Sequence, residues 1–294
     1  DVESAFLTDR MLRFQNDIAR RVREQIPDAE FTATAYHATG RAPLEQTVDP
    51  SIHVLGYYNY LPYRFHLAEK RQELEQAMSG WSRATGNFYF STFYFAYGNY
   101  SLPWSSVDTQ RWVIQLMVDN DLRGFNGYYG GGDSRAPMPQ MGPDVWLLSQ
   151  LVWDPEQSAD DLVDEWYLGS FGAEAAPHVR AYFAVVDSAL TAQVKRFPDF
   201  WGSRGFTQRQ INLNAYPAIR QRCADLLAAA QAAVATAPER RRWRVEQVMR
   251  NWHLVELTLD AIEATRNSRI VADEGALERA LDLGQARAAY IASS

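Results

Sequence analysis

One alternation constrains this chain more than any other feature. Up to about residue 150, β-type runs and amphipathic helical stretches follow one another; beyond it the pattern is helical throughout. Leu7, Met11, Phe14, Ile18 and Val22 recur at helical spacing from Phe6 to Ile26, and Pro27 ends the segment. A β-rich run from Glu30 to His37 follows, then strands at Ile52–Tyr58, Asn87–Phe95 and Gly124–Tyr129. Helices are expected between the later strands, at about Leu67–Thr85 and Ser106–Asn120.

Repeated strand–helix–strand units build a parallel sheet. The nearly continuous apolar third strand suits a sheet buried on both faces. Gly130-Gly131-Gly132 follows a strand, but neither G-x-G-x-x-G nor G-x-x-x-x-G-K-[ST] occurs, so a nucleotide-binding doubly wound sheet is the poorer match. The expected fold is α/β: the C-terminal part of a TIM-like (β/α)8 barrel over 1–143, then an all-α helical bundle over 144–294. The bundle's helices are placed at Asp144–Trp153, Ser158–Leu168, Glu174–Arg196, Thr207–Ala235, Glu239–Asn267 and Glu274–Ala292, with Gly169 and Gly172 as a stop.

Composition removes several classes of function. A hydrophobic fraction of 47% excludes disorder. No apolar run reaches the roughly 20 residues of a membrane span, so no membrane partner is expected. A net charge of −7 argues against nucleic acid, whose binding needs clustered cations. Cys223 is the single cysteine, which excludes an internal disulfide and a cysteine zinc site. With no H-E-x-x-H or H-x-H, neither metal nor cofactor is expected. The acid-rich stretch Asp160–Glu165 lacks the glycine of a calcium loop and reads as a capped helix start. Arg240-Arg241-Arg242-Trp243-Arg244 follows Pro238 at a helix opening and reads as a solvated helix face.

Several longer motifs carry a resemblance. They are Leu12-Arg13-Phe14-Gln15-Asn16, the strand Phe31-Thr32-Ala33-Thr34-Ala35-Tyr36, and Leu122-Arg123-Gly124-Phe125. Trp153-Asp154-Pro155 follows, then Asp161-Leu162-Val163-Asp164-Glu165-Trp166-Tyr167-Leu168-Gly169 with Phe171-Gly172 and Ala175-Ala176-Pro177. Over about residues 5–190 the chain resembles a bacterial family of unknown function related in fold to α-glucuronidases and β-N-acetylhexosaminidases. The resemblance implies a glycosidase-like barrel whose last strands are those above, and an extracellular or periplasmic location. It also implies earlier strands upstream of the first helix. The chain opens Asp1-Val2-Glu3, with neither Met nor a signal peptide, and part of a barrel leaves sheet edges unsatisfied. A missing or separate N-terminal half-barrel of the same protein is therefore the expected partner.

Active sites of such barrels lie at the C-terminal strand ends. Those ends supply Tyr36, Tyr58, Asn59, Tyr60, Tyr94, Tyr97, Asn126, Tyr128 and Tyr129 as candidate substrate-binding groups. Aromatic faces with hydroxyls at the rim suit a sugar, which offers C–H faces and many hydroxyl partners. Packing of the barrel core is the plainer alternative for any single tyrosine. Glycoside hydrolysis usually takes two carboxyl groups, and no strand end carries one. The resemblance places an acid near Ser91-Thr92-Phe93 and a Glu where Gly127 or Tyr128 stands, so those roles do not transfer. Asp133, beyond the triple glycine, and His37, beyond the first strand, are the candidate catalytic residues. An Asx turn and a loop histidine are their alternatives. The expectation is a carbohydrate-active protein, a glycoside hydrolase with its acid–base pair upstream. A non-catalytic carbohydrate-binding protein or a helical interaction module is the alternative.

Overall fold

The structure is a computed structural model that describes residues 2–58, 65–93, 103, 105–128, 141–196, 214–271 and 274–293. It is a mixed α/β protein with a small parallel sheet and a helical C-terminal region. Two compact units are present. One comprises Asp1–Phe95, Asp108–Tyr129 and Leu148–Glu156; the other comprises Ala96–Val107, Gly130–Leu147 and Gln157–Ser294. Segments following the third and fourth strands thus group with the helical unit, which is not contiguous in sequence.

In the first unit, α1 (Val2–Arg23) precedes β1 (Phe31–Tyr36), and a single 3-10 turn, His37–Thr39, follows that strand. Next come β2 (Ile52–Tyr58), α2 (Ala68–Ala84), β3 (Phe88–Phe93), α3 (Val107–Asp119) and β4 (Gly124–Tyr128). All pairings are parallel, and the order is β1-β2-β3-β4. In a sheet whose order runs without reversal, the general right-handed rule for crossovers places the connecting helices on one face. Such an order holds none of the switch points at which doubly wound sheets bind ligands.

Period-two alternation sorts the side chains between the two faces. Ala33, Ala35, Ile52, Val54, Tyr58, Phe88 and Phe90 are buried on the helix-covered face. Trp81 of α2, fully buried, stacks on Phe88 with centroids 5.6 Å apart. Gly56 is required here, because a Cβ at this position would sit 2.4 Å from the Phe88 ring. Thr32 and Thr34 are exposed on the other face, and His53, Leu55, Tyr57 and Tyr89 are half-buried there.

Helix α1 is amphipathic, but the stripe that helical spacing selects is not the one it buries. Leu12 and Ala19 are buried, whereas Phe14 is 67% exposed and Leu7 and Ile18 are 40% exposed. Its polar residues do the anchoring. Asp9 accepts backbone N–H bonds from Leu44, Glu45 and Gln46 at 3.1, 3.1 and 2.8 Å. Asn16 donates to the Thr47 carbonyl and accepts from the Asp49 N–H. The β1–β2 connection is thereby tied to α1. Its residues 41–47 line a cavity of about 610 Å³ with residues 76–84 of α2.

The helical unit contains α5 (Ala159–Arg196), α6 (Tyr216–Ala233), α7 (Glu239–Val271) and α8 (Glu274–Ser293); α4 (Asp144–Trp153) precedes them. The expected stop appears as a break in α5 at Gly172, whose φ of 79° favours glycine. The Arg244 guanidinium donates to the Gly169 and Ser170 carbonyls at 3.1 and 3.3 Å, and Arg241 lies against Gly172. These two arginines cap a helix break, which corrects their reading as a wholly solvated face; Arg242 and Trp243 do point to solvent. The core is aromatic: fully buried Tyr182 meets Phe183 and Trp252 edge-on at 5.0 and 5.8 Å. Arg220 of α6 binds Asp260 of α7 through two N–H···O bonds. Among the described residues no helix is long and apolar enough to cross a membrane.

Candidate functional site

Strand register assembles a site from residues far apart in sequence. Tyr36 pairs with Tyr57, Tyr57 with Ser91, and Ser91 with Asn126, so these four form one lateral row across the sheet. The row lies toward the C-terminal ends of the strands, on the face opposite Trp81. Tyr36 and Tyr57 meet edge-to-face with centroids 6.1 Å apart. The Ser91 hydroxyl donates to the Asn126 carbonyl at 2.8 Å, and the Asn126 amide donates to the Tyr57 hydroxyl at 3.4 Å. The first bond ties β3 to its neighbour β4, and the second reaches across β3 to hold the Tyr57 phenol on β2.

The end of β1 is shaped by a local device. The Thr39 hydroxyl accepts from the Tyr36 N–H at 3.3 Å and donates to the Tyr36 carbonyl at 3.0 Å. His37 stands between them at φ 50°, a left-handed conformation that is uncommon for a residue with a side chain. Its exposed ring lies 3.9 Å from the Tyr36 ring, centroid to centroid. Tyr36 and His37 are therefore presented together at the margin of the row.

Below the row, Thr34, Leu55, Tyr89 and Gly124 form a second register level. Tyr89 lies over Gly124, where a Cβ would approach its ring to 3.2 Å. The Tyr89 hydroxyl is 3.3 Å from His53 Nδ1, and His53 Nε2 is 3.3 Å from Glu30 Oε2. A carboxylate–imidazole–phenol chain thus occupies the N-terminal end of the same face.

Tyr58 is not part of this face, which corrects its assignment to substrate binding. It is 8% exposed and stacks on Phe90 with centroids 5.8 Å apart. Its hydroxyl donates to the Gly40 carbonyl at 3.1 Å, and the Trp81 indole donates to the same oxygen at 3.0 Å. Strand parity held the signal for this: Tyr58 is in phase with Ile52 and Val54, and Tyr57 is out of phase with them. Tyr57 and Ser91 are thus row members that strand-end inspection passed over as candidates.

Asn59, Tyr60, Tyr94, Tyr97, Tyr129 and Asp133 lie outside the described residues, as does the side chain of Tyr128, whose backbone pairs with Phe93. Among the described residues the row offers phenol and amide groups, the Ser91 hydroxyl being buried against the Asn126 carbonyl, and no three His, Cys, Asp or Glu residues gather where a metal ion would sit.

Fold and site together define a class: a parallel α/β protein wound in one direction, with aromatic and amide groups at its carboxyl strand ends and a helical C-terminal region. The chain belongs to the family described as Domain of unknown function (DUF4838), whose model matches residues 2–184. No curated protein and no solved structure matches the chain.

Proposed function

We propose that this is a carbohydrate-active protein, that its sheet is the C-terminal part of a TIM-like barrel, and that the Tyr36–Tyr57–Ser91–Asn126 row is its glycan-binding floor. The observation that carries the reading is the row itself. Four consecutive parallel strands place phenol rings and amide and hydroxyl groups side by side at the ends where parallel α/β sheets bind ligands. Phenol rings cover the apolar C–H faces of a pyranose, while the Tyr57 hydroxyl and the Asn126 amide exchange hydrogen bonds with its hydroxyls. His37, held beside Tyr36, is positioned to bond a substrate oxygen or to carry a proton. In the barrel reading the face opposite Trp81 is the interior, and its row of polar and aromatic groups lies toward the end where such barrels carry their sites.

The favoured activity is glycoside hydrolysis, with the acid–base pair supplied from outside the described residues. The second reading, a non-catalytic glycan-binding protein, is favoured by the lack of a carboxylate among the row's described members. Calorimetric titration with a panel of glycans, alongside turnover of the matching aryl glycosides, tests both. Binding with turnover supports the hydrolase, binding alone supports the second reading, and no binding by any glycan removes both.

A further inference from the structure

We infer that the cavity between the β1–β2 connection and α2 is a binding site for a small oxyanion-bearing molecule, held by Arg41 and Arg83. The site lies on the side of the sheet where Trp81 packs. It therefore stands apart from the tyrosine row and does not depend on whether that row binds sugar.

The cavity follows from how the chain crosses between two strands. β1 and β2 are parallel neighbours, and such a crossover ordinarily carries an α-helix. Residues 37–51 hold only a 3-10 turn instead, whereas the two later crossovers carry α2 and α3. With no helix there, a volume of about 610 Å³ stands open between the connection and α2. This is the size of a small-molecule site, roughly 300–1,000 Å³.

The connection is nonetheless fixed. The Gly40 carbonyl accepts from Tyr58 and Trp81, and the Arg41 carbonyl accepts from the Thr8 hydroxyl at 2.9 Å. Asp9 takes the amides of Leu44, Glu45 and Gln46, and the Val48 N–H bonds to the Ala84 carbonyl at 3.2 Å. Long irregular segments ordered in this way are usually functional. A ligand that meets a fixed wall also loses little affinity to ordering it.

The lining defines the ligand. Ala42, Ala77 and Gly80 make a floor of small apolar groups. Helix α2 touches the connection at Gly80, where a Cβ would sit 2.5 Å from that of Ala42. Arg83 Nη2 lies 4.0 Å from the same point, and Arg83 Nη1 donates to the Ser79 hydroxyl at 2.6 Å, so this guanidinium is held over the floor. Arg41, half-buried, lines the cavity from the connection. Among the described residues neither guanidinium has a carboxylate partner. Glu45 is the one acid in the lining, and it is exposed and joined to neither arginine. Two cations against one acid leave the cavity positive. Guanidinium groups bind carboxylate, sulfate and phosphate through paired N–H donors. The Gln46 and Gln76 amides in the same lining suit further polar groups of the molecule.

Calorimetric titration of the 294-residue chain at low ionic strength tests this, with inorganic phosphate, sulfate and citrate as probes. At least one is expected to bind saturably. Its affinity is expected to fall at least roughly tenfold in Arg41→Gln and in Arg83→Gln, the scale of a lost charged hydrogen bond. Arg123→Gln changes an exposed arginine outside the cavity and is expected to leave affinity unchanged. Binding of phosphate or sulfate without citrate assigns a tetrahedral oxyanion, and binding of citrate alone assigns a carboxylate. The inference is overturned if none of the three binds or if either cavity variant keeps the parent's affinity. It is equally overturned if Arg123→Gln weakens binding as much as they do.

Discussion

The Asn126 amide donates to the Tyr57 hydroxyl across 3.4 Å, although the two residues sit on strands separated by β3 and 69 positions apart. The bond spans Ser91, which is itself tied to the Asn126 backbone. A phenol held this way keeps its ring in place for a ligand. On the proposed glycan-binding reading, Tyr57→Ala is expected to weaken that binding by about tenfold or more, the scale of a lost aromatic anchor. Asn126→Ala, which removes about one net hydrogen bond, is expected to cost about fivefold. Calorimetry measures both, and thermal unfolding of each variant should stay close to that of the parent.

Tyr58 predicts the opposite behaviour. With its ring on Phe90 and its hydroxyl on Gly40, Tyr58→Ala opens a cavity in the core and is expected to cost about 3 kcal/mol or more of stability. Tyr58→Phe should cost about 1 kcal/mol, the value of the lost hydrogen bond, and leave glycan affinity unchanged. Urea unfolding followed by tryptophan fluorescence separates the two variants.

Gly56 tests the packing of the sheet against its helices. A methyl group there meets the Phe88 ring at 2.4 Å, so Gly56→Ala is expected to destabilise by about 1–3 kcal/mol through overpacking. A variant as stable as the parent in urea would show that Phe88 can move aside.

Asp9 gives the first unit a sensitivity to acid. Burial pushes its carboxyl upward, but three backbone N–H bonds, from Gln46, Glu45 and Leu44, outweigh this and hold its pKa below the ordinary 3.8. A lowered native pKa means that the folded state favours the ionised form. The stabilisation is therefore complete above the unfolded value and is lost as pH falls below about 3.8 toward the native one. Stability measured against pH should drop in that window, and Asp9→Asn should flatten the drop while lowering stability at neutral pH.

Cys223 should be inert in the native protein. Burial pushes its thiol up to about 12, and the side chain is inaccessible. Titration with a chromogenic disulfide at pH 8 is expected to find no reactive thiol until denaturant is added, and then one per chain.

Much of the fold was legible because it rests on local rules. The four strands and the helices between them follow from periodicity and from the turn residues that bound them, and the break in α5 follows from Gly172. Strand-end inspection also singled out Tyr36, His37 and Asn126. Tyr58 was misplaced because nearness to a strand end was weighed above phase, although Ile52 and Val54 already marked its side as core. The α1 stripe misled for a different reason. Helical spacing reports which residues share a face; what that face touches depends on the neighbours. Asp9 and Asn16 anchor the helix with hydrogen bonds that carry no hydrophobic period.

By itself, then, the sequence determined the order and type of the elements, since backbone preference and hydrophobic period act over a few residues. Tertiary structure alone decided that Tyr36, Tyr57, Ser91 and Asn126 share one row, that Gly40 receives both Tyr58 and Trp81, and that the arginine run serves Gly172. Each of these depends on the register between strands or on the meeting of distant helices. Both are set by packing and hydrogen bonding between segments dozens of residues apart, beyond the reach of any local pattern.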